Sequence, residues 1–352
     1  MAIDSGDLTV SQTVHSSKQL LERATPFCIL QQLADAKPLP SNSTKTMNMR
    51  RYKFAPNSGK FDANGVPLSA ANFVLTEGVT PADLDLVVEN YDLQLTQYGV
   101  VTTTTDIVDD THIDDVLTEV FGELGEVAGP MVEHMHWEAV RTGATNVLLA
   151  GGVGSEATIV APAGIGEIRA AVRGLRAAHA KFITKTVKSD VKWESASIEP
   201  AFIAVMNSDL EGTIRKQLGT NFTPVADYAA GSFVFQGEFG KAENVRFLSS
   251  TLIGKRANAG ATVGAAPNLL SDNATNVNLY DILVFGAKAW VAAALKGAFA
   301  VAPTMVRAKV CESDPLGQRS KAGFKTMQGA KVVQPAHIRK IICGAFKDSL
   351  LA

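Results

Sequence analysis

The segment His134-Met135-His136-Trp137-Glu138 is the strongest candidate for metal chemistry in this sequence. On a helix, His134 and Glu138 are four residues apart and share one face, whereas His136 points away from them. The HExxH spacing that gives zinc hydrolases two histidines and a general base does not occur here. The segment therefore favours a structural role, and a metal-dependent hydrolase remains a lesser alternative.

Two further groups of residues have chemically useful types but not the required spacing. Gly151, Gly152 and Gly154 form a glycine-rich run, but no Lys-Ser or Lys-Thr follows in the register of a phosphate-binding loop. The acidic cluster from Asp109 to Asp115 lacks the ligand spacing of an EF-hand loop. We therefore predict no catalytic residue, no cofactor and no metal, and expect that the chain is not an enzyme.

The bulk composition is that of a folded protein with few charges. Of 352 residues, 46% are hydrophobic and 19% are charged, whereas charged residues usually make up about 25%. A partner that covers much of the surface would explain this, as would a large, well-buried monomer. The sequence has neither a membrane-span-length apolar run nor secretory-signal features at its start, so no membrane partner is expected. The three scattered cysteines, with no CxxC pair, fit a reducing cytoplasm.

Charge is segregated along the chain. Residues 61–140 contain 16 acidic residues and no Lys or Arg. From residue 300 onward, nine basic residues accompany three acidic ones. Either the tail folds against the middle of its own chain, or the acidic surface of one subunit meets basic groups of a neighbour, from the tail or from residues 169–192. The sequence alone leaves both arrangements open.

The first hundred residues predict extended elements that have little core of their own. Residues 1–50 are polar and turn-rich, with a basic bias too weak to predict nucleic-acid binding. In residues 51–105, turn signals separate β-prone segments with alternating apolar residues. A change of phase near Asn90 predicts a bulge or a bend. A long β-hairpin of this kind needs another surface to lie on.

A long amphipathic helix is predicted over Thr111–Thr142. Thr111 can cap its start, and apolar residues recur at helical spacing along it. Pro130 should kink or split this helix, and Gly143 is a natural end.

The rest of the chain predicts a compact region of helices and strands. A helix is predicted over Ile165–Ala180 with its arginines exposed, and Ala201–Met206 has the composition of a buried strand. In the tail, Thr304–Val310 and Lys331–Ile342 alternate like strands, and a Gly-rich turn region is predicted between them.

This order of parts resembles the Hong Kong 97-like fold of tailed-phage major capsid proteins. Several short strings are similar to the subfamily typified by the coliphage "N-four" capsid protein, with Phe324 where that subfamily usually has Trp. In chain order, the strings are LTEGVTP at 75–81, LTQYG at 95–99, DDTHI at 109–113, LTE at 117–119, TNV at 145–147, AGG at 150–152, QGEFG at 236–240, VRF at 245–247, DPLGQR at 314–319 and GFK at 323–325.

The resemblance implies an α+β fold with an N-terminal arm, an extended β-hairpin loop, a peripheral domain with a long spine helix, and an axial domain. The implied bounds are residues 1–50 for the arm, 51–105 for the extended loop, 106–164 for the first part of the peripheral domain, 165–300 for the axial domain and 301–352 for the return to the peripheral domain.

The function that the resemblance implies is that of a major capsid protein of a tailed double-stranded DNA bacteriophage. Such a chain self-assembles as hexamers and pentamers into an icosahedral shell around the DNA. Portal, decoration or scaffolding proteins are further partners that the resemblance implies, and assembly would take place in the host bacterial cytoplasm. An encapsulin-type compartment shell protein, which shares the fold, is the alternative.

Residue patterns and resemblance together direct attention to contact surfaces between subunits. A hairpin that buries little by itself can gain apolar contacts on a neighbour, and opposite charges can set the register. The contact candidates are Phe73, Leu75, Glu77, Leu84, Leu86, Asp109, Asp114, Glu119, Arg319 and Lys325.

Overall fold

A computed structural model describes most of the chain. The described residues are 29–39, 44–54, 59–62, 66–81, 83–111, 116–187, 195–228, 233–295, 301–306, 310, 315–347 and 349. Residues 1–28, which make up most of the predicted arm, and the contact candidate Asp114 lie outside them.

The long helix predicted from the apolar spacing is confirmed, with different bounds. In the described residues the α-helices are α1 Asp106–Thr111, α2 Val116–Gly143, α3 Ile165–Ala177 and α4 Glu211–Leu218. Helix α2 ends at Gly143 as predicted, but it runs through Pro130 without a break. The expected split is therefore wrong, because packing along the helix outweighs the one backbone hydrogen bond that proline removes. No helix in the described part of the chain combines the length and apolarity needed to cross a membrane.

The strands build three sheets within the described residues. In chain order they are β1 Asp35–Leu39, β2 Thr46–Phe54, β3 Leu86–Gln94, β4 Thr96–Thr105, β5 Val147–Leu149, β6 Ile183–Val187, β7 Ser195–Asn207, β8 Thr223–Pro224, β9 Glu238–Ala242, β10 Val245–Ser250, β11 Tyr280–Phe285, β12 Trp290–Leu295, β13 Val301–Val306, β14 Arg319–Val332 and β15 Ile338–Cys343.

A five-stranded sheet forms around the long strand β14. Its order is β1-β12-β14-β13, and β4 pairs with β14 along the opposite edge from β12 and β13. Of the Gly-rich turn region predicted between residues 310 and 331, residues 315–318 form a turn with Gly317 at positive φ. The rest of the prediction is wrong, because Arg319–Val332 is one continuous strand. Its glycine at 323 permits a close approach: a Cβ there would lie 2.5 Å from the carbonyl oxygen of Val100.

An eight-stranded sheet contains most of the hydrophobic core. Its order is β5-β15-β11-β7-β10-β9-β8, with β6 paired to the start of β7. The buried strand predicted at Ala201–Met206 is confirmed within β7, and α3 and α4 pack on the sheet through their apolar faces. The arginines of α3 are exposed, as expected.

Strands β2 and β3 form the predicted hairpin. They pair antiparallel in one regular register, from Thr46 opposite Gln94 to Phe54 opposite Leu86. The bulge predicted near Asn90 is therefore wrong. Both faces of this hairpin are largely exposed. The apolar residues can therefore switch from one face to the other along the strand while the strand pairing stays regular.

A second core joins the two larger sheets to α2. It contains Trp137 and Val140 of α2, Trp290 of β12 and Leu283 of β11. Leu30, at the start of the described chain, is fully buried in the same cluster. The root of the arm is therefore part of the folded subunit.

Candidate assembly surfaces

The hairpin root and its tip differ in how they are held. Leu93 and Leu95 at the root are buried against Val291 and Ala293 of β12. We call residues 55–85 the tip. In its described residues, 59–62, 66–81 and 83–85, the Phe61 ring stacks on Phe54 at the end of β2 with 4.9 Å between centroids. This small aromatic cluster gives the tip a shape without covering its apolar surface.

The five contact candidates in or beside the tip lie on the surface or at its edge. Phe73 meets the edge of the Phe61 ring at 5.6 Å but remains 40% exposed, and Leu75 is 71% exposed. Glu77 and Leu86 are exposed, and Leu84 is half-buried. Apolar side chains in water next to carboxylates are typical of a surface that a partner covers.

An ion pair links the two strands of the hairpin. Lys53 on β2 lies diagonally across the ladder from Glu89 on β3, and the two side chains form a short salt bridge. The hydrogen bond from Lys53 lowers the pKa of the Glu89 carboxyl, and the hydroxyl of Tyr91 also donates to this carboxyl, at 2.8 Å. This part of the acidic stretch is thus satisfied within its own chain.

Helix α2 packs on one face of β14 and turns acidic residues outward. Phe121, Leu124 and Ala128 are buried against Ala322 and Phe324. The exposed side of the same turns has the acidic residues Glu119, Glu123 and Glu126. The contact candidate Glu119 is therefore on the surface. Asp109 lies in α1, but the structure does not describe its side chain. Asp114 is not among the described residues.

The opposite face of β14 is basic. Side chains alternate along a strand, so the exposed Arg319, Lys321 and Lys325 all point away from α2. We call these three residues the basic face. Neighbouring positions on β4 and β13 are uncharged, among them Thr103 and Val306 opposite Lys321. The two tail candidates, Arg319 and Lys325, thus lie on the same face of β14.

The metal candidate His134-x-His136-x-Glu138 is divided between two environments. His134 and Glu138 line an open groove of about 840 Å³ between α2 and the sheet, with Met131 and Met135. His136 is buried against the Trp290 ring, with 5.2 Å between centroids, and burial lowers its pKa to about 3. Among the described residues, no group of three or more His, Cys, Asp or Glu could hold a metal ion.

Sequence reasoning missed Glu133, which holds the root of the arm. Both of its carboxylate oxygens accept the backbone N–H of Leu30 at 3.1 Å. Glu133 is fully buried, and burial raises its pKa to about 7, although the bonds from Leu30 and Ile29 act in the opposite direction. The only signal in the sequence is an acidic residue within the apolar stripe of a helix.

A second missed group joins the end of α2 to the eight-stranded sheet. Asp281 of β11 accepts Nε of Arg141 at 2.6 Å and Nη2 of Arg256 at 2.6 Å. Arg256 also pairs with Glu156. Asp281 is 3% exposed, so its buried carboxylate is compensated by these two arginines.

Comparison with protein families and curated proteins gave one match. A sequence profile of a family described as phage capsid protein matches residues 89–341. No curated protein sequence matches this chain. The matched region runs from within the second hairpin strand into β15, and it contains the strands of the two larger sheets except β1.

Comparison with solved structures gave similar folds at low identity. The capsid of Ralstonia phage GP4 is similar with a TM-score of 0.64 and 12% identity, over 90% of this chain and 88% of that chain. The capsid of Cyanophage P-SCSP1u has a TM-score of 0.59 and 12% identity over the same shares. An encapsulin complex from Synechococcus elongatus has a TM-score of 0.51 and 9% identity, over 88% and 84%.

Proposed function

Because this chain belongs to the phage capsid protein family, we propose that it closes as hexamers and pentamers into an icosahedral shell around double-stranded DNA. Family membership makes it a structural shell protein that assembles with copies of itself, and not an enzyme. Its fold is the α+β fold of Hong Kong 97-like capsids, as expected. The observation that carries the proposal is the presence of two chemically matched surfaces, the hairpin tip and the basic face.

A capsid subunit is favoured over the two alternatives. The encapsulin is similar in fold, but with a lower TM-score than the capsids of Ralstonia phage GP4 and Cyanophage P-SCSP1u, and the matching profile describes phage capsid proteins. A hydrolase built on His134 and Glu138 would need a third ligand near them, and the described part of the chain has no such group.

Finer features of the proposal rest on the resemblance of the sequence strings. They favour the subfamily typified by the coliphage "N-four" capsid protein, with a portal and decoration or scaffolding proteins as further partners and assembly in the host cytoplasm. The domain bounds proposed are 1–50, 51–105, 106–164, 165–300 and 301–352. Sheet membership favours adjustments to these bounds: β4 and β12 belong with the five-stranded sheet on which α2 packs, and β5 and β15 belong with the eight-stranded sheet.

We propose that the hairpin tip of one subunit lies on the basic face of its neighbour. The tip has the exposed carboxylates Glu77, Asp83 and Asp85 beside apolar side chains, and the basic face has three exposed cations on one face of β14. Charge matching of this kind sets the register of docking more than its affinity.

A charge-reversal experiment tests this docking. The double variant Lys321→Glu, Lys325→Glu should lose shell assembly while the subunit stays folded, because it turns attraction to the tip into repulsion. Adding Glu77→Lys, Asp83→Lys and Asp85→Lys to the same chain should restore assembly. Sedimentation and circular dichroism are the measurements, and Lys181→Glu, an exposed cation elsewhere, is the control. Normal assembly of the first variant would contradict the proposal.

A further inference from the structure

The outer edge of β4 is a long strand edge that the described residues leave uncovered. β14 pairs with Thr96–Thr105 along one edge, over the full length of β4. On the other edge, no strand of the described part of the chain pairs with β4. Thr104 is buried and Tyr98 is half-buried, and the other residues of the strand are exposed.

The composition of β4 differs from that of the other edge strands in the two larger sheets. Proteins protect exposed edges with short strands, prolines and charges, especially lysine. β1 has Lys37 and Pro38, β13 has Pro303, β6 has Lys185, and β5 and β8 have only three and two residues. β4, with the sequence TQYGVVTTTT, has no proline and no charge, and is rich in β-branched residues. Its edge is therefore suited to pairing with another strand.

We propose that the outer edge of β4 pairs antiparallel with β4 of a second copy, so that two five-stranded sheets join across a twofold axis. In such a pair one residue must lie opposite its own counterpart. If the twofold axis passes beside Val100 or Val101, almost the whole of β4 lies opposite β4 of the second copy. Centring on Val101 places Val100 opposite Thr102 and Tyr98 opposite Thr104, which are favourable uncharged pairs.

The absence of charge on β4 selects a second copy as the occupant. Isologous pairing repeats every side chain across the axis, so any charge near the centre would oppose itself. β2 and β3, the other long exposed strands, both have charged residues and would fail this condition. The two basic faces would be three strand spacings apart, roughly 14 Å. That separation exceeds the Debye length of about 8 Å at physiological salt.

Disulfide crosslinking of the full-length chain tests the pairing. Val100→Cys and Val101→Cys are made separately after Cys28→Ser and Cys311→Ser; Cys343 is fully buried and stays. The control is Val306→Cys on β13, because Val306 is 62% exposed and Val101 is 65% exposed in the same sheet. We expect covalent dimers from Val100→Cys or Val101→Cys on oxidation, and none above background from Val306→Cys.

The outcomes separate this inference from the proposed function, on which it rests only for self-association. No crosslink from either β4 variant, in particles that still assemble, would overturn the β4 pairing and leave the shell function standing. Equal crosslinking of Val306→Cys would also overturn it. Slow amide exchange along β4 without a crosslink would mean that a different chain covers the edge, against the inference. A crosslink without large particles would support the pairing and contradict the shell function.

Discussion

Asp281 is the residue on which the connection between α2 and the eight-stranded sheet depends. It is buried and accepts hydrogen bonds from Arg141 and Arg256, which come from different parts of the chain. Removal of one partner from such a group leaves the other charges uncompensated.

We expect Asp281→Asn to lower the free energy of unfolding by about 3 kcal/mol, measured by urea denaturation of the unassembled subunit. The matched control is Asp272→Asn, which breaks the exposed pair with Lys255. Its effect should be much smaller, because solvent screens exposed pairs. Equal losses for the two variants would show that Asp281 does not hold the connection.

Glu133 makes the stability of the arm root depend on pH. Its pKa is raised from 4.5 to about 7, chiefly by burial. The folded state therefore binds more protons than the unfolded state between these values, so the contribution of Glu133 to stability is greatest below pH 4.5 and is lost as pH rises through 7. Gln cannot titrate, so Glu133→Gln should match the wild type at pH 4 and exceed its unfolding free energy by about 3 kcal/mol at pH 8.

Thermal unfolding of both proteins across this pH range measures the effect. In the difference between their stability curves, the contributions of the titratable groups that both proteins share cancel. A Gln variant that is less stable than the wild type at pH 8 would show that the ionised carboxylate stabilises the arm root.

Individual residues were predictable from the sequence where the pattern was local. The exposure of Leu75 and Glu77 follows from apolar and acidic residues in a hairpin with no core of its own. Glu133 was not predictable, because its partner Leu30 is 103 residues away. An acidic residue in an apolar stripe indicates a buried partner without saying which one.

At the scale of elements, the pairing of β4 with β14 depends on glycine. Gly323 faces Val101 across the ladder, and a Cβ at 323 would collide with the carbonyl oxygen of Val100. Likewise, a Cβ added at Gly99 would lie only 2.7 Å from the carbonyl oxygen of Phe324. The two strands therefore approach each other more closely than side chains would permit.

We expect Gly323→Ala to lower the free energy of unfolding by about 1–3 kcal/mol, because the strands must separate to admit the methyl group. Gly264→Ala is the control, since a Cβ there meets nothing within 4 Å. Urea denaturation compares the two variants. If Gly323→Ala is as stable as the wild type, close approach of β4 and β14 is not required.

The type of an element was more predictable than its bounds. The long helix followed from the period of its apolar residues, and the buried strand in β7 followed from its continuous apolar composition. Most of β14 was predicted to be a turn region, because glycine is common both in turns and in strands that approach each other closely. Only the partner strand β4 distinguishes the two, and it lies more than 200 residues earlier in the chain.

At the scale of the whole molecule, charge and shape both direct the subunit toward copies of itself. Helix α2 turns acidic residues outward on one side of the sheet, and the basic face lies on the other. The sheet order could not be read from the sequence, because β1, β4 and β12 reach the five-stranded sheet from distant parts of the chain. The segregation of charge was readable, and the structure shows that it becomes a segregation of surfaces.

The size of the purified full-length chain tests this account most directly. Electron microscopy in negative stain, with sedimentation of the same sample, should show closed shells of megadalton mass built from the 37.3 kDa chain. Particles of that kind without stoichiometric metal are the expected result. A folded protein that stays monomeric at 37.3 kDa under all assembly conditions would contradict the central claim that this chain builds a shell.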